Sequence, residues 1–260
     1  MRCDVLTLFP ELIHSVGSQS MMKRAQEKGL LTLQVHDLRD YTDDPHRTAD
    51  DTPYGGGGGM VMKAEPIFRA IDRIQQDLGE MRMILPSPQG IRFSHGLARD
   101  FSQDTRPLLF ICGHYEGIDE RVSTRLPVEE ISLGDYVLTG GELPALVMID
   151  AAMRLIPGVL GDPHSAQQES FVESLLDFPH FTKPVEIRGM CVPDILLSGN
   201  HEVVRRWRRK ESLRRTLLKR PDLLDGHAWS SEDRQLLEEI EHHYTSTSNV
   251  RRDLEEGRLS

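Results

Sequence analysis

Two short stretches put main-chain chemistry where packed side chains would be expected. Residues 110–122 read FICGHYEGIDERV, an apolar strand broken at Gly113 and Gly117. Residues 131–144 read ISLGDYVLTGGELP, a second strand end with Gly134, then Gly140 and Gly141 directly ahead of a helix-like run from Glu142. So much glycine between strand and helix lets backbone N–H and C=O groups approach a neighbour closely or take positive φ. One such break reads as an ordinary turn. Two of them, each rich in polar residues that no core needs, weaken the plain-turn reading.

A different chemistry is suggested near the C-terminus. Between Phe181 and Arg220 there are 11 Lys/Arg against 4 Asp/Glu, a local +7 in a chain whose net charge is −10. Phosphate binding responds to the local patch rather than to the total. Asn200 is a good N-cap for a helix that Pro221 ends, with Val203, Trp207, Leu213 and Leu217 as an apolar stripe. Arg205, Arg206, Arg208, Arg209, Arg215 and Lys219 fall on its other faces, suited to an RNA backbone. A solvated basic helix is the plainer alternative.

The five glycines Gly55–Gly59 lack the GK[ST] ending of a P-loop and the GxGxxG-plus-acid pattern of a dinucleotide fold. A loop near bound RNA and a plain surface loop both fit them. Cys3, Cys112 and Cys191 are odd in number and far apart, which argues for buried free thiols against a disulfide framework or a zinc site. His242 and His243 are adjacent and point to different helix faces, so no metal site is expected.

The elements that must position these residues follow from periodicity. Strands are expected over Arg2–Phe9, Leu31–Asp37, Met81–Leu85 (stopped by Pro86 and Pro88) and Pro107–Ile111. Helices are expected over Glu11–Lys28 with a break near Gly17, then Glu65–Leu78, Phe93–Phe101 and Glu142–Ile156. A long polar loop, Arg39–Met60, separates the second strand from the next helix. Alternating short strands and amphipathic helices indicate an α/β fold with a mostly parallel sheet. The apolar-poor stretch 161–170 reads as a flexible linker between a domain over 1–160 and a smaller, mainly helical domain over 171–260. A last helix, Ser230–Tyr244, opens on a Ser230/Asp233 capping box, and the polar tail after Thr245 is expected to fray. With 38% hydrophobic and 28% charged residues, no membrane-length apolar run and no signal-like start, a cytoplasmic protein without membrane contact is expected.

The two glycine motifs closely resemble those of the bacterial tRNA (guanine-N1)-methyltransferases, members of the SPOUT superfamily of S-adenosylmethionine-dependent enzymes. Thr7-Leu8-Phe9-Pro10, Pro53 to Gly57, Ser87 to Gly90, Leu175-Leu176-Asp177 and Leu197 to His201 extend the likeness from Met1 to about Leu224. The resemblance implies a SPOUT-like domain with a C-terminal trefoil knot, which periodicity would never suggest because unknotted chains are the rule. It also implies a homodimer whose active site forms between subunits. The implied reaction transfers a methyl group from S-adenosyl-L-methionine to N1 of the guanosine at tRNA position 37, just 3′ of the anticodon. A SPOUT methyltransferase of other RNA specificity and a non-catalytic RNA-binding factor on the same fold are the alternatives.

Residue by residue, the likeness places the methyl donor against Leu85, Pro86, Ser87 and Pro88, Gly113 and Glu116, and the run Leu133, Gly134, Asp135, Tyr136, Val137 and Leu138, with Gly140, Gly141 and Pro144 beside them. Guanine N1 carries a proton and is a weak nucleophile, so its methylation calls for a carboxylate base and a cationic or N–H partner for the charge that develops largely at O6. Glu169 stands where the family has an Asp base, and Arg154 matches its catalytic arginine. Asp177 corresponds to a family residue near the target guanine and Ser165, in the stretch expected to be mobile, is a further RNA-binding candidate, with Arg205, Arg208, Arg209 and Arg215 of the basic helix as RNA-backbone candidates. Phe181 stands where a Tyr is common, and Gly58 replaces a usual proline.

Overall fold

Alternation of side chains along the first strand sets the layering. In β1 (Arg2–Thr7), Cys3 and Val5 enter one buried cluster, while Leu6 enters another on the opposite face. The same split recurs in β6 (Leu108–Ile111), with Leu108 and Phe110 on the first side and Leu109 and Ile111 on the second. These strands therefore belong to a sheet covered on both faces. The structure, a computed structural model, describes residues 1–161 and 169–242. Packing divides the chain into two compact units, Met1–Pro163 and His164–Ser260.

In the first unit, β1 is followed by α1 (Pro10–Gly17), α2 (Ser20–Glu27) and β2 (Thr32–Asp37). The long polar segment then makes a short ribbon, β3 (Asp50–Asp51) against β4 (Val61–Met62). Next come α3 (Ala64–Leu78), β5 (Arg82–Arg92), α4 (His95–Gln103), β6, α5 (Arg121–Arg125), β7 (Val128–Ser132) and α6 (Glu142–Met153). Five strands pair in the order β2-β1-β6-β5-β7, every pair parallel. This is an α/β architecture with a parallel sheet, as the periodicity predicts. Helix α3 buries Ile67, Ala70, Ile71 and Ile74 against one face and stops at Gly79, whose φ of 77° favours glycine. Helices α1, α2, α4 and α6 contribute to the cluster on the other face.

Two expectations need correction. Pro86 and Pro88 do not end the third strand, because β5 pairs with β6 only over Arg82–Ile84 and slips its register against β7 between Pro86 and Ile91. The prolines therefore sit where no ladder N–H is required of them. Cys3 and Cys112 are buried free thiols, but Cys191 is exposed. Burial pushes the Cys3 thiol up to about 12 and raises Cys112 well above its ordinary value, with the nearby Glu142 adding to the latter.

The second unit holds a ribbon of β8 (Glu186–Ile187) and β9 (Met190–Cys191), the long α7 (His201–Lys219) and a helix over residues 231–242. Asn200 caps α7 by accepting from the Val203 N–H, and Ser230 and Asp233 exchange both bonds of a capping box, at 3.0 and 3.2 Å. Leu175, Leu213, Leu236 and Ile240 form its small core. The expected linker residues 162–168, the end of the last helix and the frayed tail lie outside the described residues. Among the described residues, no helix is long and apolar enough to cross a membrane.

Candidate active site

The C-terminal ends of β5, β6 and β7 open onto a cleft of about 170 Å3. Parallel sheets place ligands at this edge because the strand ends and the following loops leave backbone groups free there. Pro86, Ser87 and Pro88 from the slipped part of β5 form one wall. Gly113 and Glu116 after β6 form a second; Leu133, Gly134, Tyr136, Val137 and Leu138 after β7 form the third, with Gly140, Gly141 and Pro144 closing it. The structure thus brings most of the expected donor-binding residues into one place. Leu85 and Asp135 stand apart: Leu85 is buried in the core below, and the Asp135 side chain is 97% exposed, 4.0 Å from Arg92.

Glycine is required at the centre of this cleft by close approach. The Gly141 N–H donates to the Gly113 carbonyl at 2.8 Å, joining the two sequence motifs directly. A Cβ on Gly141 would lie 2.9 Å from the Cys112 Cα, and one on Gly140 would lie 2.5 Å from His114 Nδ1. The first motif also bends sharply: Tyr115 has φ 58° and Gly117 φ 122°. The glycine-run loop is tied to that bend, since Glu116 N–H donates to the Met60 carbonyl at 3.0 Å and Met62 N–H to the Gly117 carbonyl at 2.9 Å.

His114 and Glu142 belong to the site although the sequence reading passed over them. Glu142 is 3% exposed, and its Oε1 accepts from the Thr7 hydroxyl at 2.7 Å. Thr7 Oγ1 in turn accepts from the Phe9 N–H at 2.8 Å. His114 lines the cleft, with Nδ1 buried, 3.9 Å from Glu142 Oε2 and without a hydrogen-bond partner. One carboxyl group therefore pins the end of β1 to the start of α6 and stands behind the first glycine loop. A signal existed: polar His and Glu beside glycine breaks in otherwise apolar runs. Thr7→Val removes a donor to this buried carboxyl and an acceptor for Phe9, and is expected to cost about 1–3 kcal/mol in urea unfolding, with Thr7→Ser restoring most of it.

Arg154 closes the C-terminal end of α6 in the same unit, half-buried. Glu169 lies in the second unit, where it lines a separate cleft of about 290 Å3 with Arg205, Arg208 and Arg209. Residues 169–177 form a tight reversal there. Phe171 N–H donates to the Leu175 carbonyl at 2.7 Å, Asp177 N–H to Ser170 Oγ at 3.0 Å, and Leu176 N–H to Thr216 Oγ1 on α7 at 2.8 Å. Glu169, expected in a flexible linker, is thus on folded chain. Asp177 accepts from its neighbour Phe178 N–H and pairs with His180 Nε2 at 2.8 Å. Ser165 lies outside the described residues.

The arginines of α7 divide into two groups. Arg205 pairs with Glu202 and Glu232, Arg206 and Lys210 with Glu239, Arg209 with Glu173 and Asp233, and Arg214 with Glu211. Arg208, Arg215 and Lys219 have no carboxylate partner among the described residues: Arg208 lies 4.8 Å over the Phe178 ring and Arg215 donates to the Asp177 carbonyl at 3.4 Å. The local excess of +7 is thus partly cancelled by carboxylates outside the stretch 181–220, Glu173 before it and Glu232, Asp233 and Glu239 after it. Arg206 and Lys210 hold the Glu239 carboxyl down to about 2. Burial works against the ionised Asp233, but hydrogen bonds from Arg209 and Ser230 outweigh it and hold that carboxyl well below the usual range.

A carboxyl lowered in the folded state stabilises fully above its unfolded value of about 3.9 and loses that contribution as pH falls through the folded value. The urea midpoint, followed by tryptophan fluorescence because Trp207 and Trp229 both lie in this unit, is expected to drop below about pH 4. Asp233→Asn should be less stable at neutral pH and flatten that drop.

Comparison with known proteins gives the family. The family model described as tRNA (Guanine-1)-methyltransferase TrmD matches residues 1–226. A tRNA (guanine-N(1)-)-methyltransferase of Dictyoglomus turgidum is 54% identical over 240 residues, covering 92% of this chain and 96% of the relative. Those of Anoxybacillus flavithermus and Citrifermentans bemidjiense are 51% and 52% identical, covering 92% and 93% of this chain and 98% and 96% of theirs. On the family match and these identities, the chain belongs to the tRNA (Guanine-1)-methyltransferase family.

Proposed function

We propose that the protein methylates N1 of the guanosine 3′ of the anticodon in tRNA, taking the methyl group from S-adenosyl-L-methionine. The observation that carries this is the joining of the two glycine motifs, Gly141 N–H to Gly113 carbonyl, at the floor of a cleft at the sheet's C-terminal edge. The cleft fits such a donor: Gly140 and Gly141 leave a recess that any Cβ would fill, backbone groups face it, and Leu133, Tyr136 and Leu138 offer apolar cover for an adenine ring. When bound, the donor supplies an activated methyl on a cationic sulfur. Glu116, which also lines the cleft, brings a carboxylate suited to that charge.

The chain's own work is then proton removal and charge stabilisation. Glu169 takes the N1 proton of the guanine, and Arg154 meets the negative charge that gathers at O6. Asp177, already committed to Phe178 and His180, shapes the wall beside the base. Extruding the guanine costs a few kcal/mol of stacking, which phosphate contacts to Arg208 and Arg215 help to offset.

The same proposal includes a homodimer and a knot. Phe9, Leu12 and Val16 at α1, and Leu143 and Val147 on α6, are 38–49% exposed, an apolar face on two helices that pack together. After the edge strand β7, the chain returns past β5 and β6 to bring Glu142 to Thr7 on β1, the path a trefoil threading would take. A tRNA substrate places the reaction in the cytoplasm. Calorimetry with S-adenosylmethionine tests the donor site: one site per chain is expected, and absence of binding would remove the methyltransferase function and leave an RNA-binding factor.

A further inference from the structure

We propose that the cleft between residues 178–183 and α7 holds an unpaired RNA base by stacking, with the adjoining phosphates on Lys183 and Arg208; this rests on the tRNA substrate proposed above. The cleft has a volume of about 510 Å3 and aromatic walls from Phe178, Phe181 and Trp207. The Phe181 and Trp207 rings are 6.4 Å apart and tilted by 50°, and the Arg208 guanidinium lies over Phe178.

Three observations select the occupant. Phe181 is 48% exposed, and every residue from 181 to 190 is exposed, so nothing among the described residues of its unit finishes the aromatic wall. The cations at this cleft, Lys183 and Arg208, lack carboxylate partners among the described residues, whereas most cations of α7 are paired. Arg208, Arg215 and Lys219 are seven and four residues apart, which aligns them on one face of the helix as a track beside the cleft. Aromatic planes with uncompensated cations match single-stranded nucleic acid, whose bases are free to stack and whose phosphates need charge. A protein interface would share the aromatics and the arginine but is depleted of lysine, so the unpaired Lys183 favours a phosphate. A continuous duplex has no base to insert, so the ligand is a loop nucleotide.

The test uses the full chain in a Trp229→Phe background, so that Trp207 alone reports, titrated with an unmodified tRNA transcript. The transcript is expected to quench Trp207. Phe181→Ala should weaken binding by about 5- to 150-fold, the value of one stacked base, and Phe181→Tyr should restore it. Lys183→Ala should reduce the salt slope of binding by about 1. Calorimetry with S-adenosylmethionine checks that each variant keeps a folded donor site. A wild-type chain that binds and methylates the transcript while both Phe181→Ala and Lys183→Ala keep its affinity overturns this inference alone. Loss of dimerisation without loss of RNA affinity also overturns it, in favour of a protein contact. A wild-type chain that binds no tRNA overturns the proposed substrate as well.

Discussion

Glu169→Gln is expected to slow single-turnover methyl transfer by about 10²–10⁴-fold, the range for a positioned general base, while S-adenosylmethionine binds as before. The substitution keeps the length of the side chain and its capacity to hydrogen-bond. It removes only the ability to accept a proton. Donor binding should be indifferent, because the donor cleft is built from the first unit and Glu169 sits in the second, at the rim of a cleft with Arg205, Arg208 and Arg209. Rapid-quench measurement of 1-methylguanosine checks the rate and calorimetry checks the donor. An unaltered rate would take Glu169 out of the mechanism. Glu169→Asp, which moves the same group by about one bond, should recover part of the loss, since catalysis falls steeply with displacements of about 1 Å.

Gly141→Ala should be nearly as damaging, by a different route. The backbone at Gly141 is ordinary, with φ −81°, so strain in the dihedral is not the objection. The new methyl would stand 2.9 Å from the Cys112 Cα and 3.1 Å from the Gly113 nitrogen, main-chain atoms that cannot swing aside. Relief comes only by parting the two motifs and breaking the 2.8 Å bond between them. Overpacking of this kind costs about 1–3 kcal/mol of stability, and donor affinity should fall at least about tenfold for each 1.4 kcal/mol lost at the cleft floor. Gly96→Ala is the control: its nearest atom would be at 3.6 Å, ordinary contact, and within α4 alanine is the better helix former.

Local physics made much of the fold legible. The apolar run in Arg2–Thr7, buried on both faces, and the spacing of Ile67, Ile71 and Ile74 on one buried helix face reach the same elements from sequence and structure. The joining of the two glycine motifs at one cleft was legible in part, since glycines at 113, 140 and 141 signal close backbone approach wherever the chain goes. What sequence could not show depends on residues distant in the chain. The hydrogen bond from Thr7 to Glu142 spans 135 residues and follows from the return of the chain after β7, which no periodicity encodes. Pro86 and Pro88 looked like strand stops because the register slip that spares them belongs to β7, the neighbouring strand. The basic helix looked open to phosphate because Glu232, Asp233 and Glu239, which occupy Arg205, Arg206 and Arg209, come from the following helix.

That pairing also changes what mutations on α7 would report. Arg209→Ala would leave the buried Asp233 without its main partner and weaken the small core around Leu213 and Leu236. Arg208 and Arg215 are the informative positions for RNA contact, since removing them breaks no ion pair among the described residues.

The most direct measurement is nucleoside analysis. Unmodified tRNA is incubated with the purified protein and methyl-labelled S-adenosylmethionine, digested, and resolved by mass spectrometry. Label confined to 1-methylguanosine, arising from the nucleotide 3′ of the anticodon, is the expected result. Label in any other nucleoside, or none at all from a protein that binds both donor and tRNA, would contradict the account.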